Sequence, residues 1–296
     1  MYVRRKSNWY IYFLSFLITA AFVIVAIFVF RWYLFPTDTQ DTGLDKTTGE
    51  LTDDFKPTAE HSFNLLGMLS NGASDSPELF YIASFNAPAN SLTFIPIPNG
   101  ISVASQGRTL PNVYAAQGGA EIVNVLEKEI GIRCSSYVKM DEQGFETLLT
   151  AFGNVEYDIP RTITVKDGED MVTFNSGRNL LTSEEVFQLV YRAEYDEGES
   201  YKFRTAADIF AELINQNYRH LNGSLLDTYY GMIVNSAETN LTEQLYKAHK
   251  AALLNTVQYG VQPAEFYIPY GEYTDDGGFK IAENSIISIK QKAGLL

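Results

Sequence analysis

Residues 79–100 read LFYIASFNAPANSLTFIPIPNG. Two runs rich in β-branched and aromatic residues, Leu79 to Phe85 and Ser91 to Ile97, flank NAPAN, a set of turn formers longer than a two-residue loop. They predict an antiparallel hairpin that ends in the Pro98-Asn99-Gly100 turn. Upstream, FNLLGML (63–69) is a third apolar run of strand length, stopped by the turn formers SNGASDSP. Downstream, Ile122, Val123, Val125, Leu126 and Ile130 recur at helical spacing and predict a helix over Ala120 to Ile130, with Gly131 as its stop. SSYVKM then predicts a strand, DEQGFETLLTAFG a helix with Phe145, Leu148 and Leu149 on one side, and residues 155–177 a further β segment. LTSEEVFQLV predicts a helix capped by Thr182 or Ser183, and YKFRTAADIFAELINQNYRHL another. Helices and strands continue to alternate to the C-terminus. The fold class is α/β or α+β, with a central mixed sheet covered by helices.

Working outward to the N-terminus, residues 9–30 (WYIYFLSFLITAAFVIVAIFVF) carry no charge. As a helix they reach roughly 33 Å, enough for a hydrocarbon core of about 30 Å. Arg4, Arg5 and Lys6 precede the run, and no acidic residue occurs before Asp38, so the positive-inside rule places residues 1–8 in the cytoplasm. Trp9, Tyr10 and Tyr12 at one end and Trp32 and Tyr33 at the other are placed as interfacial belts. The run exceeds a signal-peptide core, and no small-x-small site follows it before RWYLFP. The expected organisation is a cytoplasmic tail (1–8), a single transmembrane helix (9–30), a juxtamembrane segment and unfolded stalk (31–59), and an extracytoplasmic domain (60–296) in the cell membrane.

All 36 acidic residues follow that run, against 18 of the 22 basic ones beyond Arg31 at its end, so the exported part is strongly anionic and disfavours long-range attraction of nucleic acid or anionic lipid. Cys134 is the sole cysteine, which excludes an intramolecular disulfide, and it reads as buried and inert. The common local enzyme signatures are missing: CxxC, HExxH, GxxxxGK and GxSxG. The acidic runs Asp53-Asp54, Asp275-Asp276 and EYDEGES lack the alternating spacing of a calcium loop and read as solvated. Gly118-Gly119, just before the helix at 120–130, offers backbone N–H groups to an anion or else serves close packing in a tight turn.

The order of elements and the strings LLGML (65–69), TFIPIPNG (93–100), LPNVYAAQGG (110–119), VEYDIP (155–160), LTSEEVFQLV (181–190), IPYG and DDGGF resemble the LytR-CpsA-Psr (LCP) family, over roughly His61 to Ile289. The resemblance implies a single-pass protein with an extracytoplasmic α/β domain and a lipid-sized apolar cleft. It also implies magnesium-assisted transfer of polyprenyl-pyrophosphate-linked glycopolymer to peptidoglycan. Phosphoryl transfer needs cations on the phosphates and carboxylates on the metal. On the family pattern those positions fall on Leu69, Ser76, Glu78, Asn99, Gly100, Tyr191, Ala193, Glu199, Lys202, Thr205 and Ala206. Arg192 and Arg204 each lie one place off an expected arginine.

The resemblance therefore names Arg192, Lys202, Arg204, Asn112, Gly118 and Gly119 as ligand-binding candidates for a pyrophosphate or lipid headgroup. Glu78 is the candidate metal ligand, and no catalytic residue is assigned. Three readings follow: a non-catalytic binding or regulatory LCP protein, with membrane, polyprenyl-linked glycan or other envelope-assembly proteins as partners; an active magnesium-dependent phosphotransferase; or an unrelated bitopic sensor or adhesion domain. In all three the topology is the same. Thr42→Cys in a Cys134→Ala background is expected to react with a membrane-impermeant thiol reagent on intact cells, whereas labelling only after lysis contradicts the topology.

Overall fold

The computed structural model describes residues 51–52, 54–72, 75–101, 109–167, 170–196, 198–274 and 278–296. The tail, the transmembrane run and the stalk to residue 50 lie outside the described residues. Among the described residues no helix is long and apolar enough to cross a membrane.

The hairpin forms as the sequence dictates. β1 (Phe63–Leu69), β2 (Leu79–Asn86) and β3 (Ser91–Ile97) pair antiparallel in succession, with Asn86 opposite Ser91 at the turn. Two helices follow, α1 (Leu110–Gln117) and α2 (Gly119–Ile130), the second ended by Gly131 at φ 68°. β4 (Ser136–Met140) then returns parallel to β1. α3 (Glu142–Phe152) is capped by Asp141, whose carboxylate accepts from the Gly144 N–H at 2.8 Å. The further β segment is two small antiparallel pairs, β5 (Val155–Ile159) with β8 (Gly177–Leu181) and β6 (Ile163–Asp167) with β7 (Asp170–Phe174). α4 (Ser183–Phe187) starts from a Thr182–Glu185 capping box.

The chain continues through α5 (Glu199–Asn217), α6 (Gly223–Ser236), β9 (Glu238–Thr239), α7 (Glu243–Tyr259), β10 (Ala264–Phe266), the β11 (Gly271–Tyr273) and β12 (Phe279–Ile281) pair, and α8 (Glu283–Lys292). The main sheet runs β10-β3-β2-β1-β4-β9 and is mixed, since β1–β4 and β10–β3 are parallel. Asn215 of α5 holds the edge strand: its side chain both accepts from and donates to the Ala264 backbone, each at 2.9 Å.

Alternation along β1 and β2 divides the interior in two. Leu66, Met68, Phe80 and Ile82 turn to one face and pack with Ile122, Leu126 and Ile289 of α2 and α8. Leu69, Leu79 and Tyr81 turn to the other and pack with Phe187, Phe203, Ala207 and Ile209. The result is three layers, helices on both faces of a sheet. Cys134 lies in the first core, its thiol pushed up to about 12 by burial, as an inert cysteine requires.

Two local expectations need correcting. LPNVYAAQ, to which hydrophobic periodicity assigns no element, forms α1; with Leu110 and Val113 alone buried, it lacks a long apolar stripe. The packed chain also begins before residue 60. Phe55 packs against Phe85, Ala87 and Ala252, and its ring meets His61 edge-on at 5.2 Å. Two glycines test the packing. A Cβ on Gly119 would stand 2.6 Å from the Tyr137 ring and 2.9 Å from Met68 Cε, while one on Gly231 of α6 meets nothing within 4 Å. Gly119→Ala should destabilise by about 1–3 kcal/mol through overpacking. Gly231→Ala should stabilise by about 0.5–1 kcal/mol, the cost of a mid-helix glycine. Urea melts of the two variants check both signs.

Candidate functional site

In an open α/β sheet the natural ligand position lies beyond the carboxyl ends of the parallel strands. Here that edge is where β1 ends at Leu69, β2 begins at Leu79 and β4 ends at Met140. A cleft of about 280 Å³ opens there, lined by Glu78, Leu79 and Asn99 from the sheet and by Ala193 to Tyr195, Gly198, Glu199, Lys202 and Phe203 from the segment entering α5.

That segment gets its shape from a π-helical turn over Gln188–Arg192, in which the Ala193 N–H donates to the Gln188 carbonyl. A π turn adds one residue to the helical path and rotates every side chain after it. Tyr191 goes inward and stacks on Phe187, with centroids 5.1 Å apart and planes at 11°. Arg192 goes outward to α3, where its guanidinium donates to Glu142 Oε1 at 2.6 Å and lies 5.5 Å from the Phe187 ring.

The electrostatics of the cleft are those of an acidic pocket. Among the described residues three carboxylates, Glu78, Glu194 and Glu199, line it with one ammonium, Lys202. The Lys202 amine donates to the Tyr191 carbonyl and sits 5.6 Å from that tyrosine's ring. Burial lowers its pKa, opposed by Glu78, Glu199 and Glu194. Burial raises the Glu199 carboxyl, opposed by Lys202. Burial, reinforced by the Glu78 carboxylate, pushes the Tyr191 hydroxyl above its ordinary range.

The sequence candidates are only partly brought together. Glu78 and Lys202 share the cleft, and Arg192 does not line it. Arg204 is exposed on α5, 6.0 Å from the Phe266 ring. Asn112 is exposed on α1, and Gly119 serves close packing against Tyr137 and Met68 while Gly118, at φ 76°, makes the turn between helices. An extended segment at Arg192 would leave its direction to strand register; the π turn sets it instead. Glu194 escapes notice in the sequence because EYDEGES reads as solvated, yet Glu194 and Glu199 both line the cleft.

Magnesium is implied by the family resemblance, and Glu78, Glu194 and Glu199 are the carboxylates of the cleft that would face it. Among the described residues no three His, Cys, Asp or Glu side chains converge to hold a metal ion.

Aromatic rings pack in series between the sheet and the helices beneath the cleft. Phe145 meets Phe187 at 6.0 Å and Phe210 at 5.9 Å, and Phe210 meets Tyr81 at 5.2 Å and Phe94 at 5.8 Å. A separate apolar cavity of about 170 Å³ lies at the far end of β1, by Phe63 and Leu65, under α6 and α7.

Residues 78–286 match the model of the LytR_cpsA_psr family, and the chain belongs to that family. No curated protein sequence matches it. Solved structures share the fold. A candidate transcription regulator from Eubacterium siraeum superposes with a TM-score of 0.76 at 22% identity, covering 85% of this chain and 100% of that one. TagV from B. subtilis does so with a TM-score of 0.62 at 16% identity, covering 81% and 98%. TagT, solved bound to LI-WTA, gives 0.59 at 15%, covering 78% and 89%.

Glu199 provides the pH test. Its folded pKa lies above the unfolded value, so its favourable contribution holds below the unfolded pKa and is lost as pH rises through the folded one. Glu199→Gln is therefore expected to raise the melting temperature at about pH 7.5 and to lose that gain near pH 4. An equal gain at both pH values contradicts the assignment.

Proposed function

We propose that this chain is a membrane-anchored, extracytoplasmic LCP protein that has lost transferase chemistry and serves cell-envelope glycopolymer assembly as a binding or regulatory component. With the family established, the choice lies between this reading and an active phosphotransferase. The observation that carries it is the charge of the cleft, where Glu78, Glu194 and Glu199 outnumber Lys202. A pyrophosphate oxygen about 4 Å from a carboxylate is repelled by roughly 4 kcal/mol at an effective dielectric constant near 20. The Lys202 ammonium is engaged by the Tyr191 carbonyl, and the two offset arginines, at 192 and 204, do not line the cleft. Loss of one preorganised electrostatic contact costs about 10² to 10³ in rate, and several are lost here.

The structural neighbour TagT holds LI-WTA. By analogy, this chain's partners are polyprenyl-linked wall glycan or the proteins that handle it, met at the membrane surface.

Full-length protein in nanodiscs, supplied with polyprenyl-pyrophosphate-linked saccharide and magnesium or manganese, is expected to release no polyprenyl phosphate. Metal-dependent turnover that disappears in Lys202→Ala or Glu78→Gln overturns the proposal in favour of the active enzyme.

A further inference from the structure

The segment that leads toward β1 from the expected membrane anchor is held to α7 by two histidines. Residues 55–62 (FKPTAEHS) close on α7 through a short 3₁₀ turn, Ala59–His61. Phe55 packs on Phe85, Ala87 and Ala252, and the Ala87 N–H donates to the Ser62 hydroxyl at 3.0 Å. The two imidazoles are in opposite tautomers. The Thr58 backbone N–H donates to His61 Nδ1 at 3.0 Å, so that nitrogen accepts and the proton of the neutral ring is on Nε2. His61 thereby takes the place that Glu or Gln fills in a capping box. His249 of α7 is the reverse. Its Nδ1 lies 2.9 Å from the His61 carbonyl, which only accepts, so Nδ1 carries the proton. Its half-buried ring packs on Phe63, with centroids 4.9 Å apart.

We propose that residues 55–62 are a pH-sensitive clasp, closed while His61 and His249 are neutral and released when they take up protons. A proton on His61 Nδ1 replaces the acceptor of the Thr58 N–H with a donor and breaks the cap. A proton on His249 then sets a second positive charge beside the first. Burial lowers the His249 pKa, the bond to the His61 carbonyl opposes this, and the His61 charge lowers it further. A histidine whose folded pKa is lowered stabilises the closed form above its unfolded value of about 6.5. That contribution is lost as pH falls from there toward the folded value.

The other charged groups around His249 are paired with one another. Asp227 of α6 accepts from Lys250 and Tyr246, each at 2.7 Å, and Glu243 of α7 pairs with Lys247 at 2.6 Å. α6 also presents Tyr229 and Tyr230, and β1 presents Phe63. On the clasp itself Asp54, Lys56 and Glu60 are exposed to water. The bonds at Thr58 are exposed too, which puts the clasp at the low-stability end of the fold, where losing one cap is enough to open it. Opening frees Phe55 to Ser62, which extended span at most about 29 Å. On the membrane-anchored reading above, that length adds to the tether; the clasp itself does not rest on that reading.

The test is amide hydrogen exchange of full-length protein in nanodiscs at pH 7.5 and pH 5, corrected for the intrinsic rate at each pH. Exchange reads the clasp whether or not the membrane reading holds. Protection over residues 55–62 is expected to fall about 10-fold at pH 5, the worth of one cap, while β1 is unchanged. His61→Gln keeps a capping acceptor and His249→Asn keeps a donor near the Nδ1 position, so the double variant should hold its protection at both pH values. In the wild type the midpoint of the fall should coincide with the titration of the His61 and His249 ring resonances, and that midpoint decides if the double variant is already loose at pH 7.5. Equal wild-type protection at the two pH values, an equal fall in the double variant, a midpoint away from both ring titrations, or a loss that extends through β1 overturns the proposal.

Discussion

The structure depends on β1 being hydrogen-bonded along both edges, antiparallel to β2 over Phe63 to Leu69 and parallel to β4 over Leu65 to Leu69. A strand paired on both sides has no edge to leave unsatisfied, and its pleat sends alternate residues into different cores. Leu66 and Met68 therefore belong to one layer and Leu69 to the other. The same strand borders a pocket at each end. Its carboxyl end opens onto the acidic cleft, and its amino end borders the apolar cavity.

Between those ends the aromatic rings decide what the domain can hold. Tyr81, Phe145, Phe187, Tyr191 and Phe210 form a continuous series of contacts between sheet and helices. Each ring buries on the order of 150–250 Å² and prefers tilted or offset contacts with its neighbours, so the series acts as solid filling. The π turn at Gln188–Arg192 is what places Tyr191 in this series. In doing so it commits Arg192 to Glu142 and leaves the cleft with Lys202 as its ammonium. Packing and electrostatics thus share one cause, since the turn that completes the core removes the cation from the site.

Much of the scaffold was legible in the sequence because its signals are local. NAPAN set the hairpin, Gly131 set a helix end, and the Thr182–Glu185 pair set a helix start. The site was less legible. The π turn ends its helix, so no later turns follow to show a phase shift in hydrophobic periodicity, and the direction of Arg192 was hidden. Glu194 was hidden because an acidic run looks alike whether it faces solvent or a cleft.

Above all, the cleft at the carboxyl end of β1 should repel the anion that the family fold is built to hold. Titrating inorganic pyrophosphate with magnesium into full-length protein in nanodiscs, followed by isothermal calorimetry, addresses this directly. No saturable heat at millimolar pyrophosphate is the expected result. Saturable binding that is lost in Lys202→Ala would contradict the account.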